Sequence, residues 1–494
     1  MLRRGTQWIL PAAVAVVPLV MYAAHQPVSS EQSSARVEGQ PSARAKTSLT
    51  ALDRYVAAPD SSFTWKAVRD LPAEGVTATL LDMTSQKWLT EQEVERPLWT
   101  HWLTVVRPAQ VTSDIGLLFI TGSSLDRPAP TQPPAWLVEA AKTTGTVTAE
   151  LRLVPNQPVI FKDDPEHKPR TEDGFIAYTW NKYLRTGDEK WPARLPMTKS
   201  AVRAMDAVTA FSATPEGGNN RVTRFVVSGA SKRGWTTWTT AAVDSRVVAI
   251  APAVIDMLNV EPSFIHHYRA YGAWSDAVKD YTEQGIMDWM GTPQFHALMK
   301  IEEPYEYRDR LTMPKYLVNA SGDQFFLPDS SRFYFDDLKG EKHLRYEPNA
   351  GHSMEKTDAL ENVQAFYASI VKNVARPQIK WTFEHDGSIK VVSKDRPEAV
   401  LTWQATNPEA RNFRQDKIGS AYTSTPLTPS GPNTWVAKVQ PPVKGWTAFF
   451  IELTFPGVGK YPFKETTGIR VLPDTLPYEA PKPSRPVTAG LGGR

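Results

Sequence analysis

Three short segments place a hydroxyl, a carboxylate and an imidazole directly after predicted β-strands. The first is the run GASKRG, in which Ser231 follows the apolar segment 225–227 and precedes a helix predicted over 235–243. A serine on a tight turn between a strand and a helix is typical of a catalytic nucleophile, because the turn lifts its oxygen clear of the sheet. Two glycines flank the serine as G-x-S-x-x-G, and Arg233 takes the usual position of the second glycine.

A carboxylate and a histidine follow two later strands. Asp323 comes after the strand predicted over 315–320, and His352 comes after the strand predicted over 344–347. Catalytic groups gather at the carboxyl edge of a parallel sheet, so we expect both side chains to approach Ser231. The order serine, acid, histidine is that of the α/β-hydrolases, in which the histidine takes the serine proton and the acid holds the imidazole. The sequence therefore predicts a catalytic triad.

The acid of this triad has an alternative. Asp256 directly follows the strand predicted over 247–254, so it also lies at a carboxyl end. Asp323 is favoured because Gly322 permits a tight turn and because its strand precedes that of the histidine by one helix. Asp256 instead opens an insertion, where it is expected to cap a helix N-terminus.

Backbone N–H groups are the predicted stabilisers of negative charge at this site. The N–H of Lys232, directly after the nucleophile, and those of the loop at Gly122 and Ser123 are expected to form an oxyanion hole.

The sequence predicts neither a metal site nor a bound cofactor. His266 and His267 are adjacent and point to opposite faces, and His296 lacks a pattern of carboxylate partners, so packing or substrate contact is expected instead. The acidic pairs 302–303 and 336–337 are predicted to be solvated.

Strands alternate with helices over 49–376, which predicts an α/β-hydrolase-like domain with a mostly parallel sheet covered on both faces. Helices are predicted over 198–211, with Thr198 as its N-cap, and over 328–338. Residues 255–310 are aromatic and interrupted by glycine and proline, which predicts an inserted lid.

Short alternating strands replace helices after residue 376. Six or seven of them within 377–475 predict a β-sandwich domain of immunoglobulin or fibronectin type. The tail at 476–494 is rich in proline and glycine and is predicted to be disordered.

The first 24 residues have a basic start and an apolar run over 8–24, typical of a secretory signal or a short N-terminal anchor. Residues 25–48 are predicted to be a disordered spacer. We therefore expect a periplasmic or secreted protein that contacts a membrane only through this N-terminal segment. The net charge of +3 gives no electrostatic reason to expect a nucleic-acid partner, and the absence of cysteine excludes disulfides, thiolate ligands and a cysteine nucleophile.

Four segments together resemble a known family. They are GASKRGWTTW, the early ERPLWTHWLTVVRP, and the late SGDQFF and NAGHS, within about 50–475. The chain thereby resembles the PhoPQ-activated pathogenicity-related family. This resemblance implies an exported bacterial protein with an α/β-hydrolase-like domain and a C-terminal sandwich, linked to virulence and resistance to host peptides. It implies no defined substrate. The G-x-S-x-x-G spacing is also similar to that of carbohydrate esterases that cleave glucuronoyl or acetyl esters.

Two classes of function follow from these observations. The first is an exported serine hydrolase that cleaves an ester or amide of a small molecule, glycan or peptide, a carbohydrate esterase being one form of it. The second is a non-catalytic binding or virulence factor on a hydrolase scaffold, because a fold does not by itself determine a function.

Overall fold

A nine-stranded sheet forms the centre of the protein. The computed structural model describes residues 49–482, so the predicted signal or anchor, the spacer and the end of the tail lie outside the described residues. The strands of this sheet are β1 (Thr64–Leu71), β2 (Val76–Lys87), β3 (Leu98–Pro108), β4 (Ile115–Ile120), β5 (Thr148–Leu151), β6 (Arg224–Ala230), β7 (Val247–Ala253), β8 (Lys315–Ala320) and β9 (Lys342–Glu347).

The strand order is β1-β2-β3-β5-β4-β6-β7-β8-β9. The six strands β4 to β9 run parallel to one another, whereas β1, β2 and β3 pair antiparallel at the other edge, with β3 antiparallel to β5. The sheet confirms the predicted α/β fold class. Its parallel strands all end at the same edge, where loops that carry chemistry are brought together.

Helices cover both faces of the sheet. The α-helices of residues 49–482 are α1 (Ala51–Ala57), α2 (Ala135–Thr144), α3 (Glu172–Thr186), α4 (Arg194–Ser212), α5 (Lys232–Val243), α6 (Val260–Tyr271), α7 (Lys279–Glu283), α8 (Pro293–Glu302), α9 (Ala359–Val371) and α10 (Gln415–Ile418). Neighbouring strand residues belong to opposite cores: Leu117 and Val226 face one, and Leu118 and Val227 face the other. Burial on both faces explains why β4 and β6 read as continuous apolar runs. Among residues 49–482, we find no helix with the length and apolar character that a bilayer span requires.

Two antiparallel sheets follow at the C-terminal end. One has the order β10-β11-β14, and the other has the order β13-β12-β15-β16 with β17 paired to the far end of β15. Their strands are β10 (Ile379–Phe383), β11 (Ile389–Ser393), β12 (Ala399–Asn407), β13 (Thr423–Pro426), β14 (Thr434–Ala437), β15 (Trp446–Phe455), β16 (Phe463–Thr466) and β17 (Arg470–Leu472).

These sheets share a core with the large sheet. The ring of Tyr316 in β8 lies 5.5 Å from that of Phe366 in α9 and 5.4 Å from that of Phe463 in β16. The backbone N–H of Tyr346 in β9 also donates to the side-chain oxygen of Thr466 at 3.0 Å. Apolar packing and hydrogen bonds therefore both cross the domain boundary predicted after residue 376. The separate folding of the two sides stays a prediction.

Two predictions about helices differ from the structure. The helix α4 begins at Arg194, and Thr198 lies inside it with its hydroxyl bonded to that of Thr239 at 2.7 Å, so it is not the N-cap. In place of a helix over 328–338 there is one 3-10 turn, Ser330–Phe333, because the neighbouring Asp329 and Tyr334 are drawn into buried tertiary hydrogen bonds.

The acidic pair Glu302 and Glu303 is buried, not solvated. Glu303 accepts the backbone N–H groups of Asn259 and Val260 at 2.7 and 2.9 Å, so the N-cap and the first N–H group of α6 have an acceptor. Burial raises the pKa of Glu303 to about 8. The other pair, 336–337, is exposed as predicted.

The tail is ordered further than its composition predicts. The backbone N–H of Tyr478 donates to the carbonyl of Arg269 in α6 at 3.1 Å. A Cβ on Gly272, at the end of α6, would lie 2.8 Å from the ring of Tyr478. The segment up to this tyrosine therefore packs against the insertion, although it lies within the tail predicted to be disordered.

Candidate active site

Ser231 lies at the tip of a strained turn between β6 and α5. Its φ and ψ are 57° and −125°, a conformation that a non-glycine residue adopts only at a cost of about 1–3 kcal/mol. Its backbone N–H donates to the carbonyl of Ala253 at 2.8 Å, which ties the turn to the end of β7. A Cβ on Gly229 would lie 2.8 Å from the carbonyl oxygen of Arg233, and one on Gly234 would lie 3.0 Å from that of Ala253. Close backbone approach therefore requires both glycines.

The structure brings Ser231, His352 and Asp323 together. The Oγ of Ser231 lies 2.9 Å from Nε2 of His352, and Nδ1 of His352 lies 2.9 and 3.1 Å from the two carboxylate oxygens of Asp323. Asp323 is 3% exposed, and one of its oxygens also accepts the backbone N–H of Phe325 at 2.7 Å. The ring of Phe325 covers the imidazole at 4.4 Å. With Nδ1–H donated to the carboxylate, Nε2 is left to accept the serine proton.

Asp256, the alternative acid, is held elsewhere. Its two oxygens accept the hydroxyl groups of Tyr334 and Tyr346, each at 2.5 Å. It does not cap a helix, and α6 begins four residues later. Burial raises the pKa of Asp256 to about 7, although the two tyrosine hydroxyls act in the opposite direction. The structure therefore places Asp323, not Asp256, against His352.

Stability between pH 4 and 7 tests this account of Asp256. Its pKa is raised on folding, so its stabilising contribution is complete below pH ~4 and is lost as the pH rises towards 7. We expect Asp256→Asn to flatten the fall in the free energy of unfolding over this range, by on the order of 3 kcal/mol at most. Urea unfolding of wild type and variant at several pH values measures this pH dependence of the free energy of unfolding. The exposed Asp336→Asn should keep the wild-type slope, and an unchanged slope in Asp256→Asn would refute the assignment.

A pocket of about 460 Å³, open space at its mouth included, lies beside Ser231. Residues of the insertion after β7 contribute to its lining, and the lid over 255–310 stays a prediction. The lining is mainly aromatic and aliphatic, with Asp173 and Lys232 as its charged members. It consists of Asp173, Trp180, Ser231, Lys232, Trp235, Ile255, Met257, Phe264, Val278, Tyr281, Phe325 and Phe326.

The charged members of this lining are paired. The ammonium of Lys232 lies 2.7 Å from Asp173 and 3.2 Å from Glu172, and the hydroxyl of Tyr281 donates to Asp173 at 3.1 Å. Lys232 is the first residue of α5, a position whose backbone N–H has no acceptor within its own helix. That N–H fits the predicted oxyanion role, while the side chain is already neutralised by carboxylates.

Arg233 occupies the position where the usual motif has glycine. Its guanidinium donates to Glu172 at 2.6 and 2.7 Å and to the carbonyl of Val154 at 2.5 Å. Burial works to raise the pKa of Glu172, but Arg233 and Lys232 lower it to about 2. A Cβ on Gly122 would lie 2.0 Å from the guanidinium, so glycine makes room for Arg233 there.

The loop with Gly122 and Ser123 is tied to this ion pair. The side chain of Gln157 donates to the carbonyl of Ser123 at 3.1 Å and to Glu172 at 2.5 Å. The oxyanion role of the N–H groups in this loop stays a prediction. Glu172 and Asp173 were not predicted as site residues, because the helix α3 that they begin was not predicted. Its buried positions Ile176, Trp180, Tyr183 and Leu184 have the helical spacing i, i+4, i+7, i+8 and could have revealed it.

A buried ion pair lies behind Ser231. Arg194 in α4 and Glu302 in α8 are both 0% exposed, with Nε and carboxylate 3.3 Å apart. The guanidinium also donates to the carbonyl of Lys232 at 2.8 Å. One arginine therefore connects α8, in the insertion, with the first turn of α5.

The three histidines of the insertion have structural contacts. His266 is buried and bonded to Asp329 at 3.1 Å, His267 accepts the backbone N–H of Ser275 at 3.1 Å, and His296 pairs with Glu261 at 2.8 Å. Across residues 49–482 we find no group of three or more His, Asp or Glu side chains arranged to hold a metal ion.

Comparison with known proteins identifies the family. The model of the PhoPQ-activated pathogenicity-related protein family matches residues 52–414. The chain belongs to this family. A relative of this PhoPQ-related chain is autocrine proliferation repressor protein A of Dictyostelium discoideum. The two are 36% identical over 459 residues, which cover 87% of this chain and 92% of the relative.

Solved structures similar to this PhoPQ-related protein include two carbohydrate esterases. An acetyl xylan esterase from Paenibacillus sp. R4 has 15% sequence identity and a TM-score of 0.46, covering 65% of this chain and 92% of its own. A glucuronoyl esterase from Solibacter usitatus has 15% identity and a TM-score of 0.37, covering 65% and 90%.

Proposed function

We propose that this protein is a serine hydrolase that cleaves an ester or amide through Ser231, His352 and Asp323. The observation that carries the proposal is the unbroken chain of hydrogen bonds from the Ser231 hydroxyl to the Asp323 carboxylate, at the side of an apolar pocket. A strained nucleophile turn, which costs stability, is typical of functional sites.

The reaction follows from these contacts. Nε2 of His352 takes the proton of Ser231 as Oγ attacks the substrate carbonyl, and Asp323 stabilises the imidazolium that forms. The backbone N–H of Lys232 and those of the Gly122–Ser123 loop stabilise the oxyanion. The imidazolium then returns its proton to the leaving alcohol or amine, and an acyl group remains on Ser231. A water molecule, deprotonated by His352, releases the acid and regenerates the serine.

The pocket favours a substrate with one apolar end. Trp180 and Trp235 stack with 6.0 Å between their ring centres. The positive charge of Lys232 is paired with the carboxylates of Asp173 and Glu172. No uncompensated charge therefore faces the pocket from these residues. An uncharged acyl or aryl group of a small-molecule or glycan ester suits it better than an ionised one.

Labelling with a fluorophosphonate probe tests the proposal. We expect wild-type protein to take up about one probe per chain, because His352 activates the serine, and we expect Ser231→Ala to take up none. Ser228→Ala, which changes a buried serine of β6 bonded to the carbonyl of Ala251, is the matched control and should label as wild type. An unlabelled wild type, or equal labelling of Ser231→Ala, would contradict the proposal. A panel of acetyl, aryl and glucuronoyl esters then narrows the substrate.

A non-catalytic signalling role is the second candidate. The relative that shares 36% identity is named for repression of proliferation, not for a reaction. If wild-type protein is neither labelled nor active on the ester panel, this candidate is favoured.

Export and a contribution to virulence are also proposed, on the basis of the apolar segment 8–24 and the family resemblance. Fractionation of cells that produce the full chain tests export, since recovery of the protein only in the cytoplasm would contradict it.

A further inference from the structure

A segment of the C-terminal region lies against the loops that carry the acid and the base of the proposed triad. We call residues 411–422, between β12 and β13, the clasp. The backbone N–H of Gln415 in the clasp donates to the carbonyl of Gly322 at 2.8 Å, and the N–H of Gly322 donates to the carbonyl of Ala350 at 2.9 Å. Three separate pieces of chain are thereby joined in a row next to Asp323 and His352.

The side chain of Gln415 extends this contact to the histidine loop. Its amide nitrogen donates to the carbonyl of Asn349 at 2.6 Å. A Cβ on Gly351 would lie 2.7 Å from its amide oxygen, and a Cβ on Gly322 would lie 2.8 Å from its backbone nitrogen. Both catalytic loops therefore have glycine at the point where the clasp touches them.

Asn349 forms a second connection. Its side chain donates to the carbonyl of Tyr422 at 2.9 Å and accepts the N–H of Tyr422 at 2.8 Å, so it pairs with that backbone in both directions. The backbone N–H of Asn349 donates to the hydroxyl of Ser321 at 3.1 Å, which connects the two catalytic loops. Asn349 has φ of 56°, in the left-handed region that asparagine tolerates better than most residues.

The clasp is itself anchored at its first residue. The buried guanidinium of Arg411 donates to Asp329 at 2.7 and 3.4 Å, and Asp329 also contacts His266 of the lid helix α6. Burial works to raise the pKa of Asp329, but Arg411 and His266 hold it well below its usual value. The anchor is therefore a charged, desolvated pair whose disruption is costly.

We infer that the clasp positions the catalytic acid and base, with Gln415 and Asn349 as positioning residues that act through the loops of Asp323 and His352. The inference rests on the proposed hydrolase function. Loops at a sheet edge are more mobile than the strands that carry them, and a displacement of about 1 Å in a catalytic group costs up to ~100-fold in rate. The hydrogen bonds of the clasp restrict both loops at the residues next to the triad.

The test compares Gln415→Ala and Asn349→Gly with wild type. The first removes the bond to the Asn349 carbonyl, and the second removes the pairing with Tyr422 while keeping the left-handed backbone accessible. Lys417→Ala is the matched control, because this exposed residue of the clasp contacts neither loop. Active sites are counted with the fluorophosphonate probe, and turnover of an aryl ester is expressed per titrated site.

We expect kcat per titrated site to fall about 10- to 100-fold in both variants, with KM changed less than about threefold and Lys417→Ala as wild type. A purely structural role would lower the melting temperature and the number of titrated sites but leave turnover per site unchanged, and that result would overturn the inference. A rise in KM with kcat per titrated site unchanged would overturn it as well. If wild-type protein is neither labelled nor active, the proposed function fails and the inference fails with it. If wild-type protein is active and the clasp variants turn over normally, only the inference fails.

Discussion

Asp323→Asn is expected to lower kcat by up to ~10⁴-fold. The carboxylate accepts Nδ1–H of His352 at 2.9 and 3.1 Å, and this bond leaves Nε2 free to accept the serine proton. An asparagine amide can turn its NH₂ group toward Nδ1, which stabilises the opposite tautomer and places the proton on the nitrogen that must accept one. Steady-state kinetics of an ester that wild type cleaves, with active sites titrated, measure the effect.

Asp256→Asn is the matched control for this result. Both carboxylates follow neighbouring parallel strands and both are buried, but Asp256 contacts Tyr334 and Tyr346 instead of the imidazole. Turnover per folded molecule of Asp256→Asn should stay within about threefold of wild type, which is the change expected without loss of a catalytic contact. A large loss of turnover in Asp256→Asn with a normal Asp323→Asn would assign the catalytic acid to Asp256. A small loss in both variants would argue against a working triad.

Arg194→Met is expected to lower the free energy of unfolding by about 3–5 kcal/mol. The substitution leaves Glu302 without its partner at a position that is 0% exposed. Burial raises the pKa of Glu302 and lowers that of Arg194, so the loss of solvation outweighs the attraction between the two charges. Equilibrium unfolding in urea measures the change. Activity should fall as well, because the carbonyl of Lys232 loses a donor next to Ser231, the proposed nucleophile.

The double variant Arg194→Met/Glu302→Leu separates the cost of an unpaired charge from the value of the pair. Replacing both charges with apolar side chains is expected to recover most of the stability lost in the single variant. A double variant as unstable as Arg194→Met would show that the pair itself, and not the stranded carboxylate, supports the fold. Arg203→Met, which removes an arginine of the same helix from a pair with the partly exposed Asp206, should cost less than about 1 kcal/mol.

The sequence was sufficient to predict the strands of the parallel sheet and the residues that follow their carboxyl ends. A strand buried on both faces is a short apolar run, which is visible without a structure, as in 115–120 and 315–320. Since parallel strands end at one edge, the chain positions of Ser231, Asp323 and His352 were enough to predict that they meet. That prediction needs topology only, not side-chain detail.

The residues that surround the triad could not be predicted in the same way. Glu172 pairs with Arg233 across 61 positions, and nothing local marks which of many carboxylates an arginine will contact. Glu302 and Glu303 look solvated as an acidic pair, yet both are buried, and each bonds to a partner on another element. The turn at Ser330–Phe333 replaces a predicted helix because Tyr334 reaches Asp256 and Asp329 reaches Arg411, contacts that local propensity does not contain.

The order of the clasp in the chain has a consequence during translation. The ribosome releases Ser231, Asp323 and His352 before it releases residues 411–422, and domains begin to fold from the N-terminal end as they emerge. A nascent chain that has formed its large sheet therefore still lacks the segment that holds the acid and base loops. If the proposed function holds, hydrolytic competence arises only after synthesis has passed the clasp. A product truncated before residue 411 would lack both the clasp and the later strands that share the core of the large sheet.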